Sequence, residues 1–229
     1  MLFSQIQKTG AELRMETEVL SVSRSREAVL SSKSGLERVR FSHLILAAGC
    51  RERPLGALHI TGTRPDGVYT AGQAQEMMNL HGTDPGERIL ILGSGDLGMI
   101  VARRCVLRDK QVIAIAEQAG KYTGLVKNYH SCVEAYSIPI WTHTTVTQLH
   151  GEPRLTGVTV RELDSGLERF VSCDTLLLAT GLIPEQTLVS NLGAPEWLHL
   201  VGNCNRVHDL VDSAAHEART VGYEIIKRT

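Results

Sequence analysis

The chain of 229 residues is 42% hydrophobic and 21% charged, which suits one large or two small globular domains and excludes a disordered chain. Its 24 basic and 25 acidic residues are spread along the sequence and leave a formal net charge of -1, so we expect neither nucleic acid nor an anionic membrane as a partner. No apolar run is long enough to span a bilayer and the first residues do not form a signal peptide, which predicts a cytoplasmic location.

The five cysteines are odd in number, lie far apart and include no C-x-x-C pair. This spacing predicts reduced, mostly buried thiols, and it indicates neither a redox-active dithiol nor a metal site.

The first part of the chain alternates short β-prone runs with charged turns over residues 12–42, which predicts a meander of strands. Residues 43–48 form a buried type of strand that ends at Gly49. Two segments rich in proline, glycine and charge follow at residues 50–54 and 62–67, and they indicate a connector with a domain boundary nearby. A helix is predicted over residues 70–80.

The second part begins with a strand, a glycine turn, a helix and a strand over residues 88–117, followed by a second helix over residues 124–136. Four β-prone runs, at residues 138–142, 145–149, 155–161 and 169–172, and the strand at residues 175–179 come next. A further strand reaches Gly202, and an amphipathic helix is predicted over residues 208–228 with Asp209 as its N-cap.

One phrase occurs twice. Ser34-Gly-Leu-Glu-Arg38 leads into a strand that ends Leu46-Ala-Ala-Gly49, and Ser165-Gly-Leu-Glu-Arg169 leads into one that ends Leu178-Ala-Thr-Gly181. The repetition indicates a duplicated supersecondary unit. A complete strand, glycine turn and helix precede the second copy, but almost nothing precedes the first. The sequence therefore predicts an intact second nucleotide domain and only part of a first one.

The glycine turn has the G-x-G-x-x-G spacing of a dinucleotide-binding loop. Gly93 permits the tight turn, Gly95 lets a diphosphate approach the backbone, and Gly98 lets the helix pack closely on the strand. The intervening residues Ser94, Asp96 and Leu97 complete the predicted site, in which the anion rests on the helix N-terminus. A turn unrelated to nucleotides is the alternative interpretation.

Glu117 ends the next strand, 19 residues after Gly98, where a carboxylate can accept hydrogen bonds from the adenosine ribose. The alternative is an ordinary surface carboxylate at a strand end. Gln118 follows and no arginine pair is present, so NAD is favoured, although Lys121 keeps NADP as the lesser alternative. Thr180 and Gly181 end a strand that should lie beside the loop, where glycine leaves room for the cofactor; a simple turn glycine is the alternative.

Together with these features, the segments Cys50-Arg-Glu-Arg-Pro54, Gly67-Val-Tyr-Thr-Ala-Gly72 and Val207-His-Asp-Leu-Val-Asp212 make the chain resemble the pyridine nucleotide-disulfide oxidoreductase class, whose members carry two dinucleotide-binding domains. The resemblance is strongest to its bacterial FAD-dependent branch related to opine and sarcosine oxidase subunits. It implies that one domain holds FAD, that the inserted one holds NAD(P)H, and that hydride passes between nicotinamide and flavin.

The resemblance also implies the flavin contacts. Ala48 and Gly49 would lie along FAD, Gly202 and Asn203 would meet its ribityl and diphosphate region, and the helix from His208 would point its positive end at the flavin. His208 is either a proton-transfer group or, more in keeping with its position, a solvated residue at a helix start. The class begins with its own glycine-rich turn for the ADP half of FAD, which precedes the point where this sequence starts. Tight FAD binding by these residues alone is therefore not expected.

The sequence thus predicts an α/β protein with a Rossmann-like FAD/NAD(P)-binding fold. Residues 1–59 and 187–229 would form a partial FAD-type domain, and residues 60–186 an inserted NAD-binding domain. The predicted function is oxidoreduction of a small-molecule substrate through NAD(H) and FAD, with a second subunit, or further sequence, completing the flavin site. The alternatives are an NAD(H)-binding module without turnover and, less favoured, S-adenosylmethionine-dependent methyl transfer, which leaves the duplicated phrase unexplained.

Overall fold

The computed structural model describes residues 5, 6, 8–208 and 210–228. It divides into two compact units: unit 1 comprises residues 1–50 and 184–229, and unit 2 comprises residues 51–183. Three helices are labelled α1 (Ala71–Asn79), α2 (Asp96–Val106) and α3 (Val211–Arg228). The strands are, in order, β1 (Glu18–Val22), β2 (Glu27–Ser32), β3 (Gly35–Arg40), β4 (Leu44–Leu46), β5 (Cys50–Glu52), β6 (Thr61–Gly62), β7 (Val68–Thr70), β8 (Arg88–Leu92), β9 (Gln111–Ala116), β10 (Ile140–Trp141), β11 (Thr144–His150), β12 (Gly157–Glu162), β13 (Glu168–Ser172), β14 (Thr175–Leu178), β15 (Leu182–Pro184) and β16 (Leu198–Leu200).

Unit 2 is built on a five-stranded sheet in the order β10-β9-β8-β14-β7, whose neighbouring strands all pair in parallel. Because successive side chains of a strand point to opposite faces, β8 divides its apolar residues between two cores. Leu90 and Leu92 face the four-stranded sheet β13-β12-β11-β6, whereas Ile89 and Ile91 face the helices. Unit 2 therefore has three layers around two apolar clusters.

The helical layer contains α1, α2 and the helical turns of residues 126–136, where the sequence predicts the second helix. Helix α1 begins as a capping box, because the Thr70 hydroxyl accepts the Gln73 N–H while the Gln73 side chain accepts the Thr70 N–H. Met78 of α1 and Met99 of α2 are buried in this layer.

The boundary of unit 2 lies at residue 51, earlier than the boundary at residue 60 predicted from composition. Residues 51–59 belong to unit 2 because Glu52 accepts hydrogen bonds from the Thr70 hydroxyl and the Gly72 N–H at the start of α1. Leu55 and Leu58 also pack against its core. The second boundary lies at residues 183 and 184, three residues before the predicted one.

Unit 1 contains the antiparallel meander β1-β2-β3, the parallel pair β4 and β16, and the long helix α3. Its core is a small cluster that includes Val22, Leu46 and Trp197, with Phe41 packed against Trp197 at a ring-centroid distance of 5.4 Å. Helix α3 begins at Val211, later than predicted, and Asp209 lies outside the described residues.

The five cysteines are all free; four are buried and Cys50 is half-buried. Burial is the main cause that raises the pKa of Cys105 and of Cys173 to about 12, which keeps both thiols protonated and unreactive. Among the described helices, none is both long and apolar enough to pass through a bilayer.

Candidate functional site

A cavity of about 700 Å³ opens in unit 2 where β8, β9 and β14 end. Parallel strands bring their carboxyl ends to one edge of the sheet, and ligands of open α/β sheets bind outside that edge. The residues after the three strands therefore form one wall, and the four-stranded sheet and the segment before β6 provide the others. The lining includes Gly93, Gly95, Glu117, Gln118, Thr123, Thr145, Thr147, Arg161, Thr180, Gly181, Arg53 and His59.

The glycine turn after β8 has little room for side chains at two of its positions. Gly93 has a φ of +106°, and a Cβ on it would lie 2.2 Å from the Ala179 carbonyl oxygen. A Cβ on Gly98 would lie 2.2 Å from the Gly93 carbonyl oxygen. Gly95 is different, because its φ is -64° and a Cβ on it would meet no described atom within 4 Å. Its missing side chain leaves open space at the cavity wall.

The first turn of α2, next to that space, begins with backbone donors that have no partner in the described part of the chain. The N–H groups of Gly95, Asp96 and Leu97 make no hydrogen bond to any residue that the structure describes. The Asp96 carboxylate is turned aside, where it accepts hydrogen bonds from the Leu125 N–H at 2.7 Å and from the Asn128 side chain at 2.8 Å. Free N–H groups at a helix N-terminus suit a phosphate or diphosphate.

Glu117 lines the cavity but is only 8% exposed. It accepts the Ser94 N–H at 2.9 Å, the Ser94 hydroxyl at 2.5 Å and the Ala119 N–H at 2.9 Å. Burial by itself raises the pKa of Glu117, but these hydrogen bonds, with a longer one from Thr123, outweigh it and hold the pKa below its ordinary value. Glu117 is therefore a carboxylate, and it is bound to the glycine turn.

The end of β14 lies beside the glycine turn, as the sequence predicts, since Leu178 pairs with Leu92 of β8. Gly181 has a φ of +96°, and a Cβ there would meet no described atom within 4 Å. The Thr180 hydroxyl is buried without a partner in the described part of the chain. A bound ligand could supply the missing partner, because buried hydroxyls are rarely left unpaired.

Several cavity residues were not predicted from the sequence. Gln118 donates to the Thr145 hydroxyl at 3.0 Å, and Arg161 forms an ion pair with Glu168 at 2.7 Å. The Arg53 N–H donates to the Gly181 carbonyl at 3.0 Å, although residues 50–54 were interpreted only as a connector. The pairing of distant segments brings these residues to the cavity, and no local sequence motif indicates them.

The predicted flavin residues lie in unit 1, where β4 and β16 pair in parallel and are followed by the segments that contain Gly49 and Gly202. Ala48 and Gly49 follow β4, and Gly49 has a φ of +75°. The Asn203 side chain reaches Cys50, next to Gly49, with a distance of 3.6 Å between its nitrogen and the sulfur. The structure thus brings the ends of these two strands together.

Glu217 of α3, which the sequence analysis missed, organises the loop before that helix. It accepts the Gly202 N–H at 2.6 Å and the Asn205 amide at 2.8 Å, and its Oε2 lies 3.0 Å from His208 Nε2. Burial by itself raises the pKa of Glu217, but these contacts outweigh it and lower the pKa. The sequence does not indicate this role, because it does not show that residues 202–208 fold back against the helix face that carries Glu217.

His208 is not the solvated helix-start residue that its sequence position favoured. Its side chain is 4% exposed and is paired with Glu217, while the Asn203 side chain accepts its N–H at 2.9 Å. These contacts hold residues 202–208 as a loop, and the helix starts after them.

The comparisons with known proteins agree with this architecture. Residues 3–197 match the family model described as pyridine nucleotide-disulphide oxidoreductase, whose members bind FAD and NAD(P). The chain is 28% identical over 115 residues to one of the subunits of opine oxidase from Rhizobium meliloti (strain 1021), covering 50% of this chain and 24% of that protein. It is 29% identical over 203 residues to the HcnB subunit of hydrogen cyanide synthase from Pseudomonas aeruginosa, covering 80% of this chain and 43% of that protein. The chain therefore spans less than half the length of these curated relatives.

Among solved structures, thioredoxin reductase of T. acidophilum superposes with a TM-score of 0.69 at 18% identity, over 93% of this chain and 74% of that one. This likeness shows the fold alone. The predicted Rossmann-like FAD/NAD(P)-binding fold and the resemblance to this class are confirmed. The chain belongs to the pyridine nucleotide-disulphide oxidoreductase family.

Proposed function

We propose that unit 2 binds NAD(H) in its cavity and that the protein is an FAD/NAD(P)-dependent oxidoreductase, or a subunit of one. The observation that carries this proposal is the open space at Gly95 beside the three free N–H groups that begin α2. That arrangement accepts a diphosphate without displacing any side chain. The Thr180 hydroxyl would bind a further polar group of the same ligand.

The cavity also has a volume typical of ligand pockets, which commonly measure about 300–1,000 Å³. The strand ends place Glu117 and Gln118 on one side of the glycine turn and Thr180 and Gly181 on the other. We propose that the adenosine half lies toward Glu117 and the nicotinamide half toward Gly181. When bound, NAD(H) supplies or accepts a hydride and FAD exchanges it with the substrate.

NAD(H) is proposed in preference to NADP(H). The extra phosphate of NADP(H) needs an available cation, and Lys121 lines a different cavity from the one that contains the glycine turn. Arg161 lines the right cavity, but its guanidinium is already paired with Glu168. Arg53 lines it too, but its backbone is bonded to Gly181, at the side proposed for the nicotinamide half. These observations support the cofactor that the sequence favours.

Unit 1 fits only part of a flavin nucleotide. Its described residues provide the two strand ends with Gly49 and Gly202, but they provide no glycine turn and helix like those of residues 93–106. Ile45, in the middle of β4, is 50% exposed, and Val211, Tyr223 and Ile226 of α3 are exposed as well. We propose that further polypeptide, on this chain or on a second subunit, covers these apolar groups and completes the flavin site. Two of the relatives are themselves named as subunits.

Replacing Gly95 with leucine tests the NAD(H) site. The new side chain meets no described atom at its Cβ, so the fold should persist while the side chain fills the space for the diphosphate. Titration with NADH, followed by nucleotide fluorescence, should show binding by the wild type and at least about a hundredfold weaker binding by Gly95→Leu, a loss of about 2.8 kcal/mol. Gly222→Leu is the matched control, because its Cβ is equally unobstructed and it lies in α3. Equal affinity of wild type and Gly95→Leu would refute the site.

The flavin step is tested on the protein as isolated with whatever polypeptide co-purifies with it. The proposal predicts a flavin spectrum that bleaches when NADH is added. A colourless preparation that binds NADH, and that takes up no FAD when FAD is supplied, would favour a binding module without turnover.

A further inference from the structure

Glu117 occupies the position from which a carboxylate can accept hydrogen bonds from the adenosine ribose, but its side chain is already engaged. Its Oε2 accepts the Ser94 N–H and the Ser94 hydroxyl, with Thr123 Oγ1 at 3.4 Å, and its Oε1 accepts the Ala119 N–H. A carboxylate has about four acceptor positions, so these donors come close to filling them. Little capacity remains for ribose hydroxyls.

The residue that Glu117 holds is the centre of the glycine turn. Ser94 is fully buried between Gly93 and Gly95. Its hydroxyl accepts the Thr123 N–H at 3.0 Å, and its carbonyl accepts the Gly124 N–H at 3.0 Å. The turn is thus joined through Ser94 to the segment that follows β9.

This network sets a cost on moving Glu117. If the carboxylate turned toward a ribose, the Ser94 N–H would be left buried without a partner, and an unpaired buried donor is destabilising. The hydrogen bond from the Ser94 hydroxyl would be lost as well. A ribose hydroxyl, which water otherwise satisfies, would return only part of that energy.

We propose that Glu117 is a positioning residue that acts through Ser94, and that it is not a ribose ligand. By fixing Ser94, it directs the adjacent free N–H groups of Gly95 and Asp96 toward the diphosphate. This inference rests on the proposed NAD(H) site. Because the diphosphate is common to NADH and NADPH, loss of Glu117 should weaken both nucleotides by the same factor.

The test compares Glu117→Gln, Ser94→Ala and the double variant in titrations with NADH and with NADPH. Each single variant should weaken both nucleotides about tenfold, and the double variant little more than either, because the two side chains act as one unit. The ratio of the two dissociation constants should stay at its wild-type value. Glu134→Gln is the matched control, because it makes the same change at an exposed carboxylate that pairs with His130.

A second readout separates positioning from a general loss of folding. The backbone amide NMR signals of Gly95 and Asp96 should shift in Glu117→Gln and in Ser94→Ala, while the thermal midpoints show that both variants are folded. The control variant should leave these signals unchanged.

The outcomes are distinct. If Glu117→Gln shifts the affinity ratio tenfold or more toward NADPH while Ser94→Ala binds NADH normally, Glu117 is a ribose ligand and the inference is overturned. Unmoved amide signals in both variants would overturn it as well. If the wild type binds neither nucleotide, the proposed function fails, and the amide signals still decide whether Glu117 positions the turn.

Discussion

The two copies of the repeated phrase lead into strands of nearly the same sequence with different surroundings. In unit 2, β14 lies between β8 and β7, and all four of its residues are buried. In unit 1, β4 pairs only with β16 among the described strands, and Ile45 at its centre is half exposed. The apolar sequence makes each segment a strand, but its burial depends on how many neighbours are present.

The units share a second feature. In each, a carboxylate accepts hydrogen bonds from the loop at the proposed nucleotide site. Glu117 holds the glycine turn through Ser94, and Glu217 holds the loop of residues 202–208 through Gly202, Asn205 and His208. In both, the hydrogen bonds lower the pKa of the carboxyl group although burial opposes them. A carboxylate that satisfies backbone N–H groups is a common solution for a loop that lacks regular pairing.

The largest contrast is expected between two glycines that both have a positive φ. Gly93→Ala should cost about 4 kcal/mol of unfolding free energy, because a left-handed backbone penalty is added to a collision with the Ala179 carbonyl. Gly49→Ala should cost only the backbone penalty of about 1 kcal/mol, since its Cβ meets no described atom within 4 Å. Urea unfolding can be followed by Trp141 in unit 2 and by Trp197 in unit 1. Equal costs would show that the backbone conformation alone decides.

The next contrast compares equivalent strand positions. Leu177→Ala in β14 should cost about 3 kcal/mol, because it opens a cavity in a fully buried core. Ile45→Ala in β4 should cost less than about 1 kcal/mol, because half of the side chain is already exposed. The same unfolding measurements apply. If polypeptide that covers β4 is added and the Ile45→Ala cost then rises, the proposal that unit 1 is completed by further polypeptide gains direct support.

The smallest effect concerns pH. Because the folded pKa of Glu117 lies below its ordinary value of 4.5, the stability that its carboxylate contributes is present above that pH and is lost as the pH falls through the lowered folded pKa. Glu117→Gln should therefore lower the unfolding free energy of unit 2 at neutral pH by about 1.5 kcal/mol and flatten its decline in acid. Glu217→Gln should do the same for unit 1. NMR titration of the two carboxyl groups checks the direction, and a pKa above 4.5 for either would contradict it.

Much of the fold was predictable from local patterns. The meander, α1, the strand and helix around the glycine turn, and β11 to β14 all lie within a few residues of their predicted positions, because apolar periodicity and turn residues are local signals. The glycine turn was predictable for the same reason, since Gly93 and Gly98 have steric tasks within the motif itself. The start of α3 was predicted too early, because contacts of His208 with Asn203 and Glu217 replace its first turn.

Only those parts of the candidate site that lie in a recognisable local motif, such as the glycine turn, could be predicted from the sequence. Arg53, Thr145 and Arg161 reach the cavity from segments far from the glycine turn, so no spacing indicates them. The orientation of Glu117 was also hidden, because a strand-end carboxylate looks the same in sequence whether it faces a ligand or a backbone N–H.

The sequence by itself determined the family, the parallel sheet of unit 2 and the glycines at the start of α2, because each follows from short-range sterics and periodicity. Only the tertiary structure decided which side chains close the cavity, that Glu117 is bound to Ser94, and that β4 remains half exposed. All three depend on which segments pack together in the folded chain. The hydrogen-bond partners and the burial of a residue are set by the segments around it and not by its own identity.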